Sequence, residues 1–311
     1  MEHLYLLSHL PLREGFLDQL RPLLARQEPP SEGELTSSVL KALKSPSKTN
    51  PAPSHSYSDL EKSTEDYIET LYRQRDLTLR TLKNTPSIKC VHFWDAHYPA
   101  RLKFLKYPPW NLFYRGSLPS EDCPTLGVVG TRKPNNYGRE IIEAILKPLP
   151  PKQFQLVSGL AIGIDSIAHS MSCQEGVKNF GVLANGVAEI YPRTNYGLAR
   201  DILDGGGGIL SELPPQTPPF KGNFFWRNRI ISGLSNTVWL VQGTRNSGSR
   251  HAAEHAGEQG RLICATPGDI FSELSAIPNE YLNKGATWIF DSKDLEVALA
   301  MGFVADRERI V

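Results

Sequence analysis

Apolar positions along this chain change their period near residue 86. Before that point leucines recur at helical spacing, with Leu17, Leu20, Leu23 and Leu24 as one stripe and Leu35, Val39, Leu40 and Leu43 as another. Such stripes predict short amphipathic helices. From Lys44 to Ser58 serine, proline, lysine and asparagine take over, which is the composition of a loop. Helical patterning returns between Leu60 and Leu82 through Tyr67, Ile68, Leu71, Tyr72 and Leu79, and Asn84-Thr85-Pro86 closes it. A small helical domain is therefore expected over residues 1–86.

Past residue 86 short, wholly apolar runs alternate with helical segments. Residues 108–116 read as a strand ending in a turn, and further strands are expected at 125–129, 154–157, 179–183, 209–212, 237–241 and 262–265. Helices are expected at 137–146, capped by Asn135 or Asn136 and stopped by Pro148, and from a capping Asp165 to about residue 171. Two more are expected at 196–203 and at 250–258. Strands alternating with helices in this way imply a parallel, doubly wound α/β sheet whose ligands sit at the carboxyl ends of its strands.

Two glycine turns stand at such ends, Gly127-Val128-Val129-Gly130-Thr131-Arg132 and Ser158-Gly159-Leu160-Ala161-Ile162-Gly163-Ile164-Asp165. Glycine lets backbone approach an anion closely, and the N–H groups opening the next helix favour negative charge. The first turn lacks the third glycine of the dinucleotide fingerprint, and no lone acidic residue ends the second strand, so NAD is disfavoured. Arg132 adds a cation suited to bidentate phosphate contact, the alternative being a salt bridge that anchors its own loop. Ser158 and Gly159 would add hydroxyl and backbone donors. Further on, Asn223-Phe224-Phe225-Trp226-Arg227-Asn228-Arg229 interleaves aromatics with arginines, near Lys221, Arg245, Arg250 and Arg261. That pattern suits base stacking plus backbone charge on a single strand. The competing reading makes the aromatics core and has the arginines cap a helix or pair with Asp165 or Glu212.

Composition narrows the class without choosing it. The 311 residues carry 34 basic and 33 acidic side chains, a formal net charge of +1, so a nucleic-acid partner would have to be met by a local patch. The 4 cysteines show no C-x-x-C spacing, which argues against a zinc ribbon or a disulfide framework and for a reducing, cytoplasmic setting. No apolar run approaches the roughly 18 residues of a membrane span. No metal or other cofactor is expected.

Gly130-Thr131-Arg132 with Tyr137-Gly138, Ser158-Gly159-Leu160-Ala161-Ile162-Gly163-Ile164-Asp165-Ser166-Ile167-Ala168-His169, Tyr191-Pro192 and Leu210-Ser211-Glu212 occur here in one order. Arg227-Asn228-Arg229-Ile230-Ile231-Ser232-Gly233-Leu234-Ser235, Ser247-Gly248-Ser249, Gly260-Arg261, Pro267-Gly268 and Gly285-Ala286 continue it. Together, from about Tyr98 to Ile289, they resemble the DNA-processing protein A (DprA/Smf) family. The resemblance implies an extended Rossmann-like, doubly wound, mostly parallel sheet over residues 87–295, preceded by a small helical, SAM-like domain. It implies a homodimeric, non-enzymatic protein that binds and protects single-stranded DNA and helps load the RecA recombinase in natural transformation. The contacts it implies come from Gly130, Thr131, Arg132, Ser158, Gly159, Arg227, Asn228, Arg229, Ser247, Gly248 and Ser249, and from Lys178 at the start of the third strand. Taken alone, Lys178 is an ordinary strand-edge lysine.

The chain departs from the family pattern at Val241-Gln242-Gly243, where a carboxylate is usual, and at Arg250-His251-Ala252, where Leu-Ile-Thr is usual. Residues 296–311 are expected to be a short tail with no winged-helix domain. Among rival readings, His251-Ala252-Ala253-Glu254-His255 matches the H-x-x-E-H zinc pattern, but with no downstream third-ligand motif. His169 is expected to complete packing at a helix end. A nucleoside-monophosphate phosphoribohydrolase, or a nucleotide-sensing module, on the related lysine-decarboxylase-like Rossmann fold is the alternative class. Gly205-Gly206-Gly207-Gly208 lacks the threonine and glutamate that the hydrolase motif needs.

Overall fold

A computed structural model describes residues 1–10, 14–44 and 64–310; beyond Lys44, the loop expected at 44–58 lies outside them. The amino-terminal part holds a 3-10 helix, Glu2–His9, and helices Glu14–Leu24, Glu32–Lys44 and Thr64–Asn84. Leu4, Leu7, Phe16, Leu20, Leu35, Val39 and Leu71 pack into one cluster, as the leucine stripes predict. Ser31 and Glu34 form a reciprocal capping box at the start of Glu32–Lys44, with the Ser31 N–H donating to Glu34 Oε2 at 2.9 Å.

Among the described residues the strands form one sheet: β1 Ile88–His92, β2 Asn111–Gly116, β3 Thr125–Val129, β4 Gln155–Ser158, β5 Lys178–Val182, β6 Gly208–Ser211, β7 Thr237–Leu240, β8 Leu262–Ala265 and β9 Thr287–Trp288. Their order is β1-β2-β6-β5-β4-β3-β7-β8-β9. The pairs β1–β2 and β2–β6 are antiparallel and all others parallel. The chain runs outward from β3 to β6, then returns to β3's other side as β7. That reversal opens a crevice at the carboxyl ends of β3 and β7, where doubly wound sheets bind ligands.

Both faces of the central strands are buried, which is why they read as continuous apolar runs. Leu126 and Val128 of β3 meet Ile142 and Ile145 of helix Asn136–Leu146 and Ile164 and Ala168 of helix Ile164–Gln174 on one face. Val129 meets Ile230, Ile231 and Leu234 of helix Lys221–Leu234 on the other. Asn135 caps the first of these helices through the Gly138 N–H, as expected. Asp165 differs: the cap of helix Ile164–Gln174 is Gly163, and Asp165 reaches back to the preceding turn. Strand β1 escaped the sequence reading because exposed Lys89 interrupts a five-residue run directly after a helix.

Over the span expected to be a short tail, 296–311, the described residues are helical. Residues 296–310 continue a helix, Ser292–Ile310, whose Leu295, Ala298 and Leu299 join the core. Asp306 there is buried and meets Arg101 Nε at 2.9 Å, the Arg261 guanidinium, and the Asn236 amide at 2.9 Å. Two arginines converging on one carboxylate bind this helix to the sheet's amino edge. Removing one partner of such a cluster strands buried charge. Asp306→Ala is therefore expected to lower unfolding free energy by about 3–5 kcal/mol in a denaturant titration; a loss below about 0.5 kcal/mol, typical of a surface change, would contradict the account.

Candidate nucleic-acid interface

The two glycine turns are packed against each other. A Cβ at Gly130 would lie 2.5 Å from the Ile164 side chain, and one at Gly163 would lie 2.4 Å from the Thr131 carbonyl oxygen. Gly163 also has φ +93°, in the left-handed region that glycine tolerates. The Thr131 N–H donates to the Gln242 carbonyl at 2.8 Å, and the Ile164 N–H donates to the Thr131 carbonyl at 3.1 Å. These glycines serve the approach of one turn to the other. The result is a fixed corner from which Arg132 and Lys133 project, both exposed.

Behind that corner sits a buried guanidinium. Arg227 Nη1 donates to the Gly159 carbonyl at 2.6 Å and to the Val182 carbonyl, tying the ends of β4 and β5 together. Asp165 lies alongside and accepts the Gly159 N–H at 3.1 Å. A Cβ at Gly159 would meet both groups at 2.5 Å. Burial pushes the Asp165 carboxyl up and Arg227 opposes the shift. Burial also pulls Arg227 down to about 10, against the attraction of Asp165. Desolvation outweighs attraction in both partners, so the pair sets geometry more than it stabilises the fold.

The side chains expected to bind DNA therefore divide. Ser158 is fully buried and its hydroxyl donates to the Val128 carbonyl at 2.7 Å, while the Gly159 N–H is taken by Asp165. Arg229 is buried in a bidentate pair with Glu212 at 3.0 and 2.5 Å. For Arg229 the competing ion-pair reading is the one the structure shows, while Arg227 is spent on strand-end carbonyls with Asp165 nearby. Lys178 is exposed but opens β5 opposite Gln155 at the sheet's amino edge. Four residues of strand, roughly 13 Å at the usual rise, separate it from the carboxyl edge.

Gly130, Thr131, Arg132, Arg227, Asn228, Ser247, Gly248 and Ser249 do come together, around a cleft of 740 Å³ at the carboxyl edge. Sequence reasoning did not single out Lys133, Thr244 and Asn246, which also line it; their only signal was adjacency to the first turn and to Ser247. Lys221, Phe224, Phe225 and His251 complete the wall. The Arg132 guanidinium lies 4.9 Å from the Phe224 ring centroid. No carboxylate pairs with it among the described residues. Tyr191 meets Phe224 edge-on at 6.1 Å, extending the aromatic strip, and both Tyr191 and Phe225 are exposed. On the far wall helix Ser249–Glu258 begins, with Gly248 as its cap and Asn228 donating to the Gly248 carbonyl at 3.1 Å. Four cations and the N-terminal end of a helix thus face a space whose one lining carboxylate, Asp165, is taken up by the Gly159 and Ala161 N–H groups.

Both departures from the family pattern acquire a structural reason. Gln242 Nε2 donates to Asn135 Oδ1 at 2.7 Å, the same oxygen that caps the Gly138 N–H, and a carboxylate has no hydrogen to donate there. Arg250 is held by Glu280 at 3.0 and 2.6 Å, so its charge is turned away from the helix end. His251 and His255 pack edge-on to Phe225 at 4.7 and 5.6 Å, with their Nδ1 atoms at Glu254 and Glu258.

Comparison with known proteins gives this cleft a lineage. The family model of DNA recombination-mediator protein A matches residues 89–300. The chain belongs to that family. The DNA processing protein DprA of Bacillus subtilis is 38% identical over 229 residues, covering 73% of this chain and 76% of that protein. The X-ray structure of DprA from Streptococcus pneumoniae superposes with a TM-score of 0.77 at 26% identity, covering 96% of this chain and 97% of that one. DprA from Helicobacter pylori, a structure concerned with its single-stranded DNA binding mode, gives a TM-score of 0.61 at 27% identity over 69% of this chain and 96% of that one. Helices Asn136–Leu146, Ile164–Gln174, Lys221–Leu234 and Ser249–Glu258, which carry the cleft, all fall inside the family match.

His169 sits within helix Ile164–Gln174, not at its end, and is fully buried with Nδ1 3.1 Å from Asn179 Oδ1. Burial lowers its pKa to about 4. Between that value and the unfolded value near 6.5 the unfolded chain binds a proton that the folded one refuses, so stability falls as pH drops through this window. The full loss is about 3 kcal/mol across that window. Unfolding titrations at pH 7 and pH 4 should show this excess loss in the wild type over His169→Gln; parallel pH profiles would contradict it.

Proposed function

We propose that this protein binds single-stranded DNA along the carboxyl edge of its sheet, without catalysing a reaction on it. The observation that carries this reading is the exposed Arg132 guanidinium on the face of Phe224, beside Lys133 and Lys221, in a cleft that also exposes Phe225. Cations follow a phosphate backbone and aromatic faces accept any base, which gives salt-sensitive and weakly sequence-selective binding. The one carboxylate lining the cleft, Asp165, accepts two backbone N–H groups and lies beside the Arg227 charge, so it is not free to serve as a general base.

Family membership extends the reading to protection of incoming DNA and assistance to the RecA recombinase in natural transformation, in the cytoplasm. No described helix is long and apolar enough to cross a membrane. Pairing of two copies is part of the same proposal. Strand β9 stands at the sheet's edge, and Trp288 and Phe290 stack there with centroids 5.6 Å apart while both are exposed. Val297, Met301 and Val304 of the last helix are exposed as well, an apolar surface suited to a partner subunit.

Fluorescence anisotropy with oligothymidylates of increasing length, against thymidine monophosphate, tests the central reading. Affinity should rise with length, and Arg132→Ala should weaken binding roughly tenfold or more, the worth of a charge-assisted hydrogen bond. Lys178→Ala, at the sheet's other edge, should stay within about twofold of wild type, as a side chain away from any contact would. Equal affinity for monophosphate and long oligonucleotide, or turnover of the monophosphate, would overturn the proposal.

A further inference from the structure

Ile270 and Phe271 are 82% and 90% exposed, the highest values among the large apolar side chains described. They stand on the loop after β8 and help line a groove of 720 Å³ formed with Thr244, Arg245, Asn246, Ser275 and Glu280. Thr244 and Asn246 line this groove and the Arg132 cleft alike. The two spaces therefore adjoin across the loop after β7, and together they follow the carboxyl edge from β4 through β3 and β7 to β8.

The platform is braced. The Asn279 side chain both donates to the Gly268 carbonyl at 3.0 Å and accepts the Gly268 N–H at 3.1 Å. Asp269 accepts the Phe271 N–H at 2.9 Å, holding the aromatic residue at the loop's crest. The Gly243 N–H donates to the Leu274 carbonyl at 2.7 Å and the Ile277 N–H to the Gly243 carbonyl at 2.9 Å, lacing the floor. The carboxylate of Glu280 is neutralised by Arg250 and Lys284. Arg245 and Glu273 both line the groove with opposite charges, so it offers little net charge and an apolar crest.

We propose that this groove is a second subsite for the same single strand, in which an unstacked base lies on Phe271 after its backbone leaves the Arg132 cleft. The proposal rests on the single-strand reading above. Continuity of the two spaces picks out the occupant, and the chemistry differs between them: phosphate charge dominates at Arg132, base stacking at Phe271. Stacking on an aromatic side chain is sequence-tolerant because every base has a π-face.

The test compares oligothymidylates of about 4 and about 16 nucleotides, the range of site sizes found for small single-strand-binding domains. Phe271→Ala should weaken binding of the longer strand roughly 5- to 150-fold, the alanine-substitution range for one stacked base, and leave the shorter one unchanged. Phe271→Trp should retain the long-strand affinity. Equal affinity of Phe271→Ala and wild type for the longer strand, with Arg132→Ala still weak, would overturn the subsite and leave the cleft reading standing. A sedimentation change in Phe271→Ala without any affinity change would overturn it too, by assigning the crest to a protein interface. Failure of wild type to bind either strand would instead remove the reading on which the subsite rests.

Discussion

The carboxyl edge of this sheet depends on one buried guanidinium. Arg227 reaches from helix Lys221–Leu234 to the Gly159 and Val182 carbonyls, and so sets the ends of β4 and β5 relative to the helix that carries Phe224 and Phe225. Asp165 neutralises it and fixes the second glycine turn by accepting the Gly159 N–H. A charge so placed gains little net energy, since both partners are opposed by desolvation. It contributes a unique arrangement: no apolar side chain could donate to two strand-end carbonyls at once.

That arrangement gives the paired glycine turns their work. They interlock, Gly130 against Ile164 and Gly163 against Thr131, and the interlock leaves Arg132 and Lys133 standing free over an aromatic floor. Most of the site's conspicuous polar groups, Ser158, Arg227 and Arg229 among them, are consumed in building the cleft. The ligand is left to the exposed cations, the aromatic faces and the start of helix Ser249–Glu258. An interlocked frame with exposed charged side chains at its rim suits a repetitive polyanion.

Much of this was legible in the chain. Wholly buried strands such as Thr125–Val129 and Thr237–Leu240 read as apolar runs, and the turns, the cap at Asn135 and the motif order carried the family. Pairing was not legible, because local pattern does not say which arginine meets which carboxylate. Arg229 and Arg250 look alike in sequence to a free phosphate ligand, and only the fold brings Glu212 and Glu280 to them. Sequence order likewise did not reveal that Lys178 opens β5 at the amino edge, away from the Arg132 cleft. The last helix was hidden because its weak amphipathic pattern gives no hint that Asp306 meets Arg101 and Arg261.

The central claim is that exposed cations on this frame, and not the buried arginines, hold the phosphates of a single strand. The salt dependence of oligothymidylate affinity tests it most directly, since each neutralised phosphate contributes a slope of about −0.7 in log affinity against log salt. Replacing Arg132, Lys133 and Lys221 together by alanine should flatten that slope by roughly 2. Parallel salt dependences for wild type and the triple variant would contradict the account.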